Sequence, residues 1–135
     1  MNPARAERIL KWLLFLLGGM AMLAVVPMVM PTDWMEAVND WAGLGPFPRS
    51  PLTEYLTRSL SALYAMVGTL IIYLALDVRR YHAPITLVCW LTIALGVVLT
   101  VLDLGVGMPA SWSWGEGPPT IALGAVMVWL AKRSG

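Results

Sequence analysis

Charge is what this sequence has least of. Lys, Arg, Asp and Glu make up 13% of its 135 residues, against 59% hydrophobic ones, whereas soluble domains carry about a quarter charged residues. With a mean hydropathy of +0.72, the chain belongs to the membrane class. Its single cysteine, Cys89, lies in an apolar run and reads as a packing residue; one thiol excludes a disulfide framework, a CxxC pair and a cysteine metal cluster. Its single histidine, His82, excludes any site that needs two imidazoles from one chain. No phosphate loop, zinc motif or nucleophile elbow occurs. No catalytic set, metal, cofactor or nucleic-acid partner is therefore expected. A thiol-redox enzyme of the vitamin K reductase type lacks its cysteine pairs here. A small multidrug exporter lacks its mid-membrane carboxylate.

What is present is a series of long uncharged runs. Residues 12–30 carry no charge and follow Arg5, Arg8 and Lys11. At 19 residues the run is longer than a signal-peptide core and has no small-residue cleavage site after it, so it reads as a retained span. Pro27 near its far end is placed to kink or end the helix. The second run opens with Ser50-Pro51, an N-cap followed by proline at the first helical position. Its uncharged part begins at Ser59, and the span covers 59–78, about 30 Å of helix, enough for the hydrocarbon core. The third span covers 85–103 and the fourth, the shortest, 119–131. The fold class is an all-α membrane protein: one domain, 1–135, forming a four-helix transmembrane bundle.

Between the first two spans, residues 32–42 read as a short interfacial helix. Thr32 can cap it and Gly43 can end it. Trp34, Met35, Val38 and Trp41 fall on one face, with Asp33, Glu36, Asn39 and Asp40 elsewhere. Trp34 and Trp41, with Trp112 and Trp114 in the segment 104–118, are the expected interfacial anchors. Of nine Lys and Arg, seven (Arg5, Arg8, Lys11, Arg79, Arg80, Lys132 and Arg133) fall at the N-terminus, in the 77–84 connection and at the C-terminus. The positive-inside rule then places both termini in the cytoplasm of a multi-pass protein of the cell (inner) membrane.

Two stripes of small residues imply close helix contacts: Ser61, Ala65, Gly68 and Ala75 on the second span, and Thr92, Gly96 and Thr100 on the third. With only a short connection between these spans, the faces suggest an antiparallel hairpin of the two. Candidate ligand-binding residues gather on the outer side. Glu54 and Arg58 stand at i, i+4, the spacing of a helix ion pair. Asp103 ends the third span and, with Glu116, can bind a cation or a proton. His82, beside Arg79 and Arg80 at the water boundary, is the one candidate ligand for a pigment or haem.

The segments EYLTRSLSALYA (54–65), LDVRRYH (76–82) and GMPASWSWGEGP (107–118) resemble small four-helix bacterial membrane proteins. In outline the chain is similar to the DoxX-like group. That resemblance extends over the hydropathy pattern and implies no catalytic residue. The leading expectation is a non-enzymatic structural or accessory subunit that packs in the lipid bilayer against other membrane subunits or against itself. One alternative is a DoxX-like, quinone-linked or small-molecule-binding protein with an outer polar site at Glu54, Arg58, Asp103 and Glu116. A second is a pigment- or haem-binding subunit through His82.

Overall fold

The computed structural model describes residues 1–135. It is all-helical, 81% helix with no strands. Six helices follow in order: α1 (Pro3–Met22), α2 (Val25–Val29), α3 (Thr32–Trp41), α4 (Pro51–Ala75), α5 (His82–Val106) and α6 (Ala110–Ser134). Three stretches are long and apolar enough to cross a membrane: Pro3–Val29, Pro51–Ala75 and His82–Val106.

Local chemistry accounts for most boundaries. The Asn2 side chain accepts the Ala4 N–H at 3.0 Å, so α1 starts well before the apolar run. The break at Leu23–Ala24 stands one turn before Pro27, whose ring excludes the carbonyl four residues back. Ser50 caps α4 by accepting the Thr53 N–H at 3.1 Å, with Pro51 at the first helical position. α3 ends in a paired closure in which Gly43 N–H donates to Asp40 and Leu44 N–H to Asn39. Gly43 has φ +73, which glycine adopts without a Cβ penalty.

Two local expectations need correction. Thr32 does not cap α3: the N-cap position is Pro31, and the Thr32 hydroxyl donates to Glu54 at 3.1 Å. Residues 110–118 are not loop but the first turns of α6, which runs on through Pro118 and Pro119. The proline rings remove two N–H donors, yet Gly115 has open space beside it, and the helix continues without a break. Trp112 and Trp114 accordingly stand on a helix.

The long helices pair as α1 with α4 and α5 with α6, and α1 packs on α6 to join the two pairs. The hairpin expected between the second and third spans does not form, since α4 and α5 meet only marginally. Both small-residue faces are used, but on other partners. A Cβ on Gly68 would stand 2.6 Å from the Gly18 carbonyl oxygen of α1. One on Gly96 would stand 2.7 Å from Ile121 N of α6. Ser61, Gly68, Thr92 and Gly96 are buried, and Ala65 and Thr100 are half-buried. The Thr92 and Thr100 hydroxyls donate to the Val88 and Gly96 carbonyls, each at 2.8 Å, which leaves no free donor on an apolar face.

The core is eccentric. Ala6, Leu10 and Leu14 of α1, Ile71 and Ala75 of α4, Ile85 and Cys89 of α5, and Met127, Val128, Leu130 and Ala131 of α6 all belong to one half of the bundle. That half is the basic end. Arg79 donates to Glu7 at 2.8 Å and His82 Nε2 donates to the Ala131 carbonyl at 2.9 Å. Those contacts bring the N-terminus, the 77–81 turn and the C-terminus together.

Candidate functional site

At the opposite end the helices present polar groups to one another. Asp103, three residues beyond Thr100, lies on the α5 face that packs on α6. It is only 6% exposed, and its Oδ2 has no hydrogen-bonding partner. Glu116 of α6 precedes Gly117, which packs on Thr100, so the facing helix brings this second carboxyl to the level of Asp103. Trp112 stands one helical turn before Glu116, and its indole N–H donates to the Glu116 carboxylate at 2.9 Å. Glu116 precedes the apolar segment 119–131. This pair is one half of the four-residue cluster expected from the sequence.

The other half goes elsewhere. Glu54 accepts from Thr32, while Arg58 Nη1 donates to the Met28 carbonyl at 2.8 Å. The expected Glu54–Arg58 ion pair is absent. The reason is local: α2 is one turn long, and Met28 lies in its last turn, where carbonyls lack helical donors. A guanidinium satisfies such an oxygen more strongly than it would gain from an exposed carboxylate. Glu54 and Arg58 thus tie α4 to the α2–α3 connection rather than lining a site.

One strong interaction here lies outside the four-residue cluster. Arg49 meets Glu36 through two hydrogen bonds, at 2.8 and 2.6 Å, and also Asp33. These bonds, Glu36 first, raise the Arg49 pKa, and the same hydrogen bond lowers that of Glu36. The clamp ties the loop before α4 to α3. Its only sequence signal is that Arg49 is one of two bases on a side rich in acids. On α3, Trp34, Val38 and Trp41 remain exposed, but Met35 turns inward and is buried. The outward face is therefore three residues wide, without the expected Met35. Trp114 is also exposed, whereas Trp112 is half-buried against Glu116.

Between α4 and α5 an apolar cleft of about 320 Å³ opens sideways. Leu70 and Leu74 of α4 and Leu91 and Leu95 of α5 line it, with Leu17 of α1 and Thr120 of α6 at its floor. It exists because the small faces of α4 and α5 are occupied by α1 and α6, which leaves bulky side chains facing each other. At the basic end, Glu7 raises the Arg79 pKa by its hydrogen bond. His82 is used as a cap on the last turn of α6, so the ring nitrogen facing the protein is engaged. Cys89 is fully buried against the Gly124 turn.

No family model, curated protein or solved structure matches this chain, which leaves its own geometry as the guide to its function.

Proposed function

We propose that this chain is a four-span integral membrane protein that works by lateral association in the bilayer, as an accessory subunit without chemistry of its own. In this reading α1–α2, α4, α5 and α6 are the spans, and both termini are cytoplasmic. α6 is as long as α4 and α5, 25 residues, or about 37 Å of helix. Its Lys132 and Arg133 lie in the last turn, where their cationic heads reach the interface and complement the helix dipole. The bases gathered at one end support the orientation.

The observation that carries the proposal is the α4–α5 cleft. Two consecutive helices joined by a six-residue turn (76–81) ordinarily pack on each other, yet here they frame an apolar slot lined from all four long helices. Its volume is about 320 Å³, where ~150 Å³ holds one benzene molecule. A large apolar anchor projecting from a partner's transmembrane helix fits such a slot, and interfaces concentrate their binding energy at anchors of this kind. The same volume favours a second reading, a free apolar ligand such as a single lipid or isoprenoid chain.

The test is purification from the native membrane in mild detergent, with native gels and mass spectrometry, for the wild type and Val67→Trp. Val67 lines the cleft and is 39% exposed, so a larger side chain fills the slot from its rim. Co-migration of the wild type with a larger assembly, lost in the variant, is the expected result. A lone protein carrying a lipid that the variant lacks would favour the second reading. Migration alone with nothing bound, in both, would sink the proposal.

A further inference from the structure

Asp103 Oδ2 is the one enclosed side-chain polar atom in the fold that lacks a partner, and the packing of Gly117 on Thr100 sets a second carboxyl group, Glu116, at its level on the facing helix. Ionised carboxylates accept hydrogen bonds and donate none. Two of them in contact therefore leave acceptors unsatisfied and add like-charge repulsion in a partly dry site. A positive side chain would resolve both problems, but none is placed to do so. α6 presents Glu116 to Asp103. α4, the other helix beside α5, carries Glu54 and Arg58 on its outer turns, and these are engaged by Thr32 and the Met28 carbonyl. Arg49 is held by Asp33 and Glu36. Lys132 and Arg133 lie at the far end of the bundle. A metal ion would have these two carboxyls alone, since no group of three or more metal-ligating side chains exists.

One proton supplies what is missing. It turns one carboxyl into a donor, makes an O–H···O bond to the other, and leaves a single negative charge that the Trp112 indole stabilises through Glu116. We propose that Asp103 and Glu116 form a proton-binding pair at the outer end of the α5–α6 interface, holding one proton between them at neutral pH. The pair exchanges with the outer side only. Glu116 is half-exposed there, while beneath the pair Thr100 and Gly117 are packed so closely that a Cβ on Gly117 would collide with the Thr100 hydroxyl. The pair would hold its proton whether or not the chain serves as an accessory subunit.

Infrared difference spectroscopy of the purified protein in lipid vesicles, titrated in H₂O and D₂O, tests it. The expected result is a protonated-carboxyl band at neutral pH, sensitive to deuterium and equivalent to one proton per chain. It should disappear in both Asp103→Asn and Glu116→Gln. In either variant an amide N–H replaces the shared proton as donor, so folding is retained and the melting temperature stays near that of the wild type. Asp103→Ala serves as the comparison, since it removes the partner without supplying a donor. A band absent from the wild type at neutral pH, or surviving in both amide variants, overturns the proposal. So does a band displaced by sodium ions, which would make the site a cation site.

Discussion

The backbones of Gly18 and Gly68 are in direct contact. A Cβ on Gly68 would lie 2.6 Å from the Gly18 carbonyl oxygen, and one on Gly18 would lie 2.9 Å from that of Gly68. In a bilayer no hydrophobic preference drives one apolar helix onto another, so this close approach and the dispersion it permits hold α1 on α4. Gly68→Ala is expected to destabilise the protein by about 1–3 kcal/mol, the usual cost of overpacking. Gly19, next to Gly18, faces open space: a Cβ added there would have nothing within 4 Å. Gly19→Ala should therefore leave stability unchanged or raise it by up to about 1 kcal/mol. Thermal unfolding of both variants in one detergent distinguishes steric contact from helix propensity, because only Gly68→Ala should lower the melting temperature.

The α5–α6 contact has its own version of this relationship, between a glycine and a threonine. Gly117→Ala brings a methyl group against the Thr100 hydroxyl and should separate the helices locally. Adding Thr100→Ala removes the nearest atom, so the double variant should recover part of the loss. A double-mutant cycle is expected to give a coupling of at least about 0.5 kcal/mol, as for residues in contact. Additive effects would mean that the two helices do not pack at this position.

Glu54 and Arg58 supply a test of opposite sign. An i, i+4 ion pair on a helix couples by about 0.3–0.5 kcal/mol, whereas here each side chain has a different partner. A double-mutant cycle between Glu54→Gln and Arg58→Met should show no coupling. Arg58→Met alone should cost about 1–3 kcal/mol through the Met28 carbonyl left without its charged donor. Hydrogen exchange at residues 25–30 should rise with it.

The α3 clamp predicts a pH dependence. The Arg49 hydrogen bond holds the Glu36 pKa below its ordinary 4.5. A carboxyl with a lowered folded-state pKa contributes stability that is complete above its ordinary value and fades as pH falls through the lowered one. Protection factors for hydrogen exchange across α3, corrected for the intrinsic pH dependence of amide exchange, should therefore be constant near neutrality and fall only in acid, below about 4.5. In Arg49→Gln, a carbon-detected titration of Glu36 should return its pKa to the ordinary range, and exchange across α3 should already be fast at neutral pH.

Much of what near neighbours along the chain set was legible before any helix was packed, the N-cap of α3 and the start of α6 excepted. Hydropathy runs marked the long helices, Ser50-Pro51 the start of α4, Pro27 the break after α1, and Gly43 the end of α3. Caps, proline clashes and turn conformations act within four or five residues, so they can be read without a partner. The distribution of Lys and Arg likewise marked one end of the bundle as basic. Asp103 and Glu116 stood out because carboxyls beside apolar runs are costly to place. Which surfaces meet was a matter for the packed helices. The Gly68 and Gly96 faces were visible as small-residue stripes, but their partners, Gly18 on α1 and Gly117 with Ile121 on α6, were not. Apolar helix faces are nearly equivalent toward lipid, and only the fit of backbone against backbone distinguishes one pairing from another. The same contact geometry turned Glu54 and Arg58 toward α2 and α3, brought Arg49 onto Glu36 across 13 residues, and set Asp103 against Glu116. Charges choose partners by distance in space, and that distance exists only once the helices have packed.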